Sequence, residues 1–581
     1  MTKIYRSLFL IILLVVLVFF NCINSINPPN TSTTTTTTTT IKEIYTEYRV
    51  IPLARNHVNS NEEIEANIND LSDEDVYFII TTLNPNKSFR SKSGQDMLPF
   101  RSVANNLRRG KESISKFNEN PFAYLDPKAK DRKKVSGNKL HNSNILKAVI
   151  VTGDQKTFYD DENNSVAATC RYSNTIDGIT LNIWIENKYW FATPDNTKRV
   201  KNPVNQDMVD RLANRFLNSS KEDIYHWVSN VFGEEWGDHD FDNVLTDSEA
   251  GNINILLYDI DNDEDFISGL STDGVLGFFY PRDNYTKSVN RKSNEMLMFY
   301  IDAPFFSYKS GSLWNINDEY PSEIVSTLAH EFQHMINFYQ KGIKNGTGNF
   351  SEAWLNEMCS MIAEDLLSDK LDIDGPRGIN GNNPSSILNN KYGRLPLFNR
   401  YNSESLTRWI EDENELRSYS TSYAFGAYIA RNFGGAKLFN GIVTGNDDTD
   451  YMAVINSINS LDGTSETFLS LLQKWGVAVL ISDLIITDDN TRYKYNNGNN
   501  WFESTFNGYI YNLGSINLYD YRYSSQLGPY FIDARNSIKN IETETNNDSN
   551  CYILVGKRMD GSLSKKINLH PNQHVTILLK K

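Results

Sequence analysis

His330, Glu331 and His334 have the residue types and spacing for metal chemistry. They form an H-E-x-x-H pattern inside Pro321–Gly342, PSEIVSTLAHEFQHMINFYQKG. On an α-helix, residues four apart stand about 40° apart around the axis and one turn along it. Both imidazoles can therefore face one cation, with Glu331 beside them. Glu331 is too crowded to share that ion, so its chemistry would be that of a general base toward a metal-activated water. Pro321 suits a helix start and Gly342 a stop. Ile324, Leu328, Phe332, Met335 and Tyr339 form an apolar stripe with the histidines roughly opposite, which predicts one face on a core and the other on a cleft. With only 8 histidines in 581 residues, a chance pattern of this kind is rare.

A hydrolytic zinc site needs three protein ligands and an open position for water. The longer motif with a third histidine is excluded, because Asn337 and Gln340 stand where its Gly and His belong. A carboxylate on a following helix is the remaining choice. Ser351–Leu367, SEAWLNEMCSMIAEDLL, supplies the candidates Glu352, Glu357 and Glu364. Trp354, Leu355, Met358, Ile362 and Leu366 make its apolar stripe, and Glu357 and Glu364 fall off it.

Around these helices the sequence resembles the gluzincins, the thermolysin-like and aminopeptidase N-like zinc peptidases. It is most similar to the hyicolysin family of secreted neutral metallopeptidases. The likeness is carried by HEFQHMINF, by WLNE-x-x-S-x-x-AEDL, by ILLYDID and by the stretch Ser293–Asp302, SNEMLMFYID. It runs in patches from about residue 145 to about 440. The resemblance implies that Glu357, in Asn356-Glu357-x-x-Ser360, is the third ligand of one Zn2+. Met358-Cys359 departs from the family, which usually has Gly and an apolar residue there. The resemblance also implies a transition-state tyrosine. Counting back from Gly434-Gly435 gives Tyr419, but the Gly expected three residues later is Ser422, whereas Tyr423 has Gly426 at that offset.

The elements that would position these groups read as an α+β fold. A mixed β-sheet lobe, with strands at Ile145–Gly153, Ala168–Tyr172, Ile179–Ile185 and Tyr189–Phe191, precedes a helical lobe carrying H-E-x-x-H. Asn205–Trp236 has helical periodicity, and Ile253–Tyr258 and Met296–Ile301 read as buried strands. Two helices are expected within Pro321–Leu367 and a third at Ser418–Leu438. Short β-rich runs beyond residue 500 predict a small C-terminal β-sandwich.

The domain reading is 1–25 signal peptide, 26–40 Thr-rich linker, 41–140 N-terminal segment, 141–500 metallopeptidase domain and 501–581 β domain. Lys3 and Arg6 precede Leu8–Phe20, an apolar run too short to span a bilayer and suited to a signal peptide. Membrane contact is expected only if that segment stays uncleaved. In the 41–140 segment Val76–Ile80 reads as a strand. Lys128–Lys139 reads as a solvated basic linker or as a processing site, which would make the segment a propeptide. Sequons at Asn86, Asn163, Asn218, Asn284, Asn345, Asn349 and Asn547 fit a secreted glycoprotein. The net charge of −15 argues against nucleic acid. Asp259, Asp261, Asp263 and Asp265 alternate as calcium ligands do, yet the run lacks the EF-hand Gly and Glu, so a solvated acidic turn is the preferred reading over Ca2+.

Together these observations imply a secreted zinc endopeptidase acting on proteins or peptides. The rivals are a non-catalytic adhesion or ligand-binding ectodomain on a decayed peptidase scaffold, and an aminopeptidase of the same clan. The amine-binding Gly-x-Met-Glu-Asn-type motif of the latter is missing upstream of His330.

Overall fold

The structure is a computed structural model. It describes residues 47–53, 58–83, 107–109, 149–192, 201–261 and 274–581, the last without 347, 384–387, 411–413, 446, 537–540 and 543–544. The 1–25 and 26–40 segments and Lys128–Lys139 lie outside these residues. In chain order the first strands are β1 (Tyr48–Leu53), β2 (Glu62–Thr82), β3 (Leu107–Arg109), β4 (Gln155–Tyr159), β5 (Ser165–Ile176) and β6 (Ile179–Glu186). Next come β7 (Asn252–Tyr258), β8 (Gly274–Phe279), β9 (Leu297–Asp302), β10 (Phe502–Phe506), β11 (Tyr509–Leu513), β12 (Arg522–Tyr523) and β13 (Gln526–Leu527). The last are β14 (Ile532–Asp533), β15 (Ile541–Glu542), β16 (Ser549–Leu569) and β17 (Gln573–Lys580).

Seven strands make a mixed sheet in the order β3-β8-β9-β7-β6-β5-β4. Its centre, β6-β7-β9, is parallel, while β8 runs antiparallel to β9. Alternation of side chains assigns each strand to two cores. Ile253, Ile255 and Leu257 join Leu297, Phe299 and Ile301 on the face covered by helices. Leu256, Tyr258, Met298 and Tyr300 pack on the other face with Trp184 and Phe158. Burial on both faces is why these strands read as unbroken apolar runs.

The helices on the first face are α1 (Gln206–Phe216), α2 (Ile224–Phe232) and α3 (Glu319–Asn337). The helical run expected over Asn205–Trp236 is two helices, because Asp223 begins a second one as an N-cap, accepting from the His226 N–H. Behind α3 lie α4 (Ala353–Leu371), α5 (Glu415–Asn432), α6 (Ala436–Thr444), α7 (Tyr451–Asp462) and α8 (Phe468–Leu480). The helix expected over Ser418–Leu438 is broken at Gly434-Gly435, whose φ values of 100° and 55° are open to glycine at little steric cost. Of the strand expected at Ile145–Gly153, residues 145–148 lie outside the described residues and 149–153 are irregular; β4 starts at Gln155.

The expected C-terminal β-sandwich of residues 501–581 is corrected by strand pairing. The second sheet runs β1-β17-β2-β16-β14, with β15 also on β16, so β2 from the N-terminal segment lies between the two C-terminal strands. The long strands β2 and β16 pair antiparallel through several bulges. The bend lets one sheet wrap its own core of Ala66, Ile68, Val76, Phe78, Ile80, Ile553, Ile567 and Ile577. The remaining C-terminal strands form the hairpins β10-β11 and β12-β13.

Cys170, Cys359 and Cys551 are buried and unpaired. Among the sequons, Asn284 is fully buried and offers no room for a glycan, whereas Asn163, Asn345 and Asn349 are exposed. Among the described residues, no helix is long and apolar enough to cross a membrane.

Candidate metal centre

Helix α3 starts after Asp318, runs through both histidines, and passes at Phe338 into a π-helical turn ending at Ile343. Gly342 is needed there, because a Cβ would overlap the Phe350 ring at 1.9 Å. The expected contrast between a core face and an open face is not what the fold gives. His330 and His334 are 0% and 4% exposed, since α4 lies across the face opposite the sheet. Helix α5 in turn packs on α4, with Gly426 against Met358 and Ile362. Met358 therefore fills a helix-helix contact.

This packing brings His330, His334 and Glu357 together, with one ligand atom from each within 4.8 Å of the others. His330 Nε2 stands 3.0 Å from Glu357 Oε2, and His334 Nε2 3.5 Å from Glu357 Oε1. The other ring nitrogens are held from behind. His330 Nδ1 donates to Glu364 Oε1 at 2.8 Å, and Ser326 Oγ donates to the second oxygen of that carboxylate. His334 Nδ1 lies 3.1 Å from Asn356 Oδ1 and 3.0 Å from Ser360 Oγ, which itself donates to Gln333 Oε1. Nδ1–H donors at both rings leave both Nε2 lone pairs for a cation. The donor set, two neutral imidazoles and a carboxylate around one point, fits zinc. Glu364, an alternative ligand on sequence, instead orients His330, and Glu352 accepts from Trp354 Nε1 at 2.9 Å.

Glu331 is outside the ligand cluster. Its Oε2 accepts the Phe279 N–H of β8 at 2.7 Å, while its Oε1 is buried with no partner. Burial raises the Glu331 carboxyl above its ordinary value, against the pull of both imidazoles. Burial works against charge on His330 too, but hydrogen bonds to Glu357 and Glu364 outweigh it and lift the imidazole to about 9. Burial would raise Glu357, yet the charge of His334 and hydrogen bonds from both rings hold it at about 2.

Tyr419 and Tyr423, one turn apart on α5, face different surroundings. Tyr419 is buried, its ring edge-on to Trp409, and burial, with the charges of Glu357 and Glu415 and a smaller contribution from Glu331, pushes its hydroxyl well above the ordinary value. Burial pushes the Tyr423 hydroxyl well above its ordinary value, with the charge of Asp365 adding to it and those of Arg431 and Arg377 opposing it. A narrow cavity lined by Phe279, His334, Phe350, Ser351 and Asn356 adjoins the cluster. A larger one of about 610 Å³, between Trp227, Lys370 and Tyr509, touches none of the three ligand residues. Asp259 accepts from Tyr189 OH at 2.8 Å, and Asp263 and Asp265 lie outside the described residues. Sequence reading missed the roles of Asn356, Ser360 and Glu364 behind the rings. Their signal was the i, i+4, i+8 spacing that puts all three on one side of α4.

Neutral metalloprotease ShpI of Staphylococcus hyicus is 28% identical over 398 residues, covering 67% of this chain and 72% of its own. The peptidase M30 family matches residues 161–493, more than half of the chain and the whole of the ligand cluster. The chain is a metallopeptidase of the peptidase M30 family.

Proposed function

We propose that this metallopeptidase is a zinc-dependent endopeptidase of the gluzincin type, exported from the cell, that hydrolyses internal bonds of proteins or peptides. His330, His334 and Glu357 would hold one Zn2+. A bound zinc ion supplies Lewis acidity toward the scissile carbonyl and lowers the pKa of water to about 7. Glu331 acts as the general base. Phe279 fixes one carboxylate oxygen, and the unpartnered Oε1 takes the proton of the attacking water and hands it to the leaving amine nitrogen. Its raised affinity for protons suits that shuttle at neutral pH. Tyr419 is the group assigned to stabilise the developing oxyanion by donating its hydroxyl proton in a hydrogen bond. The charges of Glu357 and Glu331 act on its hydroxyl, whereas Asp365, Arg431 and Arg377 act on that of Tyr423, which supports Tyr419.

The observation that carries this reading is a buried three-donor cluster beside a carboxylate with one oxygen left free. The test is metal analysis of the purified protein combined with digestion of an unfolded protein substrate. Chelation should abolish cleavage and zinc restore it, with internal fragments as products. Glu331→Gln should lower the rate by about 10²–10⁴-fold while zinc content is kept. Release of single amino-terminal residues would make it an aminopeptidase, and zinc-loaded protein without cleavage would favour the binding-ectodomain reading.

A further inference from the structure

The strand that holds the catalytic carboxylate is covered on its outer edge by the protein's own chain. β9 borders β8 on one side, at Gly277–Phe279. The Phe279 N–H that reaches Glu331 therefore points out of the other side. β3 lines that same side. Leu107, Arg108 and Arg109 pair in parallel with Gly274, Val275 and Gly277, and β3 also lies against α3. The pairing stops two residues short of Phe279. Gly277 lets β8 approach this closely, because a Cβ there would stand 2.9 Å from Thr327 of α3 and 2.6 Å from the Tyr300 carbonyl. An open strand edge beside a hydrolytic centre is a template on which an extended peptide adds as a further strand. The backbone groups of Gly274–Gly277 that such a peptide needs are the ones β3 occupies.

We propose that Leu107–Arg109 is an autoinhibitory strap that competes with extended substrates for the β8 edge. The proposal rests on the peptidase reading above. A three-residue parallel ladder is a weak contact by itself. Its tether makes it effective, because β2, on its N-terminal side in the chain, is fixed between β16 and β17 in the other sheet. Intramolecular attachment raises the local concentration of the strap by orders of magnitude. Cutting the chain beside the strap, or a high substrate concentration, would release it.

The experiment replaces Leu107→Pro and Arg109→Pro in the full chain, removing the N–H groups of the strap strand. KM for an extended peptide substrate should fall about tenfold with kcat unchanged. Amide hydrogen exchange at Val275 and Gly277 should quicken, while β7 and β9 stay protected. A labelled synthetic peptide of residues 103–113 should bind the double variant combined with Glu331→Gln, and not Glu331→Gln alone. The binding and exchange arms need no catalysis, so they separate failure of the strap from failure of the peptidase reading. Equal KM with no peptide binding in either background, or unchanged exchange on β8, would overturn the strap. Inactivity of all variants with peptide binding intact would leave the strap standing and overturn the peptidase.

Discussion

At the scale of single residues, the cluster is governed by what stands behind the imidazoles. A ring held at Nδ1 has one tautomer and one orientation, so little rotational freedom is lost when a cation arrives. Glu364 does this for His330 and is itself fixed by Ser326. Glu364→Gln keeps the shape and one acceptor oxygen but removes the charge facing the ring. Zinc affinity should fall by about 10–100-fold, read by competition against a chelator of known affinity. The fold, checked by circular dichroism, should persist. Unchanged affinity would mean that packing alone orients His330. Asn356 and Ser360 give His334 neutral partners where His330 has a carboxylate.

At the scale of elements, helices and strands are joined by buried polar contacts with their own pH dependence. Glu235, 3% exposed, accepts from Tyr225 OH of α2 at 3.0 Å and from the Gly251 N–H just before β7 at 2.7 Å. Burial raises its carboxyl above the ordinary 4.5, outweighing those hydrogen bonds. An acid with a raised native pKa contributes stability that is fully present below its unfolded value and is lost as pH rises through the native value. Glu235→Gln stays neutral throughout. Its urea midpoint should match the parent near about pH 4 and exceed it near about pH 8, as the parent's buried carboxyl ionises. A parallel pH profile for both proteins would refute the assignment. This much was hidden in the sequence, because the partners of Glu235 are set by how α2 packs against the turn before β7. The apolar runs of β7 and β9 were legible, because periodicity acts within a few residues, whereas the N-cap at Asp223 was passed over inside one helical run.

At the scale of the molecule, the two ends of the described chain are one structural unit. β2 is an interior strand between β17 and β16, and Val76, Phe78 and Ile80 are fully buried in the core of that sheet. Each such side chain contributes about 2 kcal/mol by burial, and their loss exposes two unpaired strand edges. A chain begun at residue 141, the boundary suggested by composition, should be insoluble or aggregate. Supplying residues 47–83 as a separate fragment during expression should restore soluble protein. A stable, monomeric truncated protein would contradict the interior placement of β2. The same placement means that a cut between β2 and β4 leaves the first two strands bound to the body.

The sequence alone determined the ligand-bearing helix. Four-residue spacing on a 3.6-residue helix fixes where His330, Glu331 and His334 stand relative to one another, whatever surrounds them. It also determined the buried strands of the central sheet, because burial on both faces imposes unbroken apolarity. Only the tertiary structure brought Glu357, rather than Glu352 or Glu364, into one cluster with both imidazoles, since that depends on how α4 is rotated against α3. The partners of β2 and β3 were likewise decided there. Strand pairing across hundreds of residues uses backbone groups that every residue carries, and so leaves no mark on the local sequence.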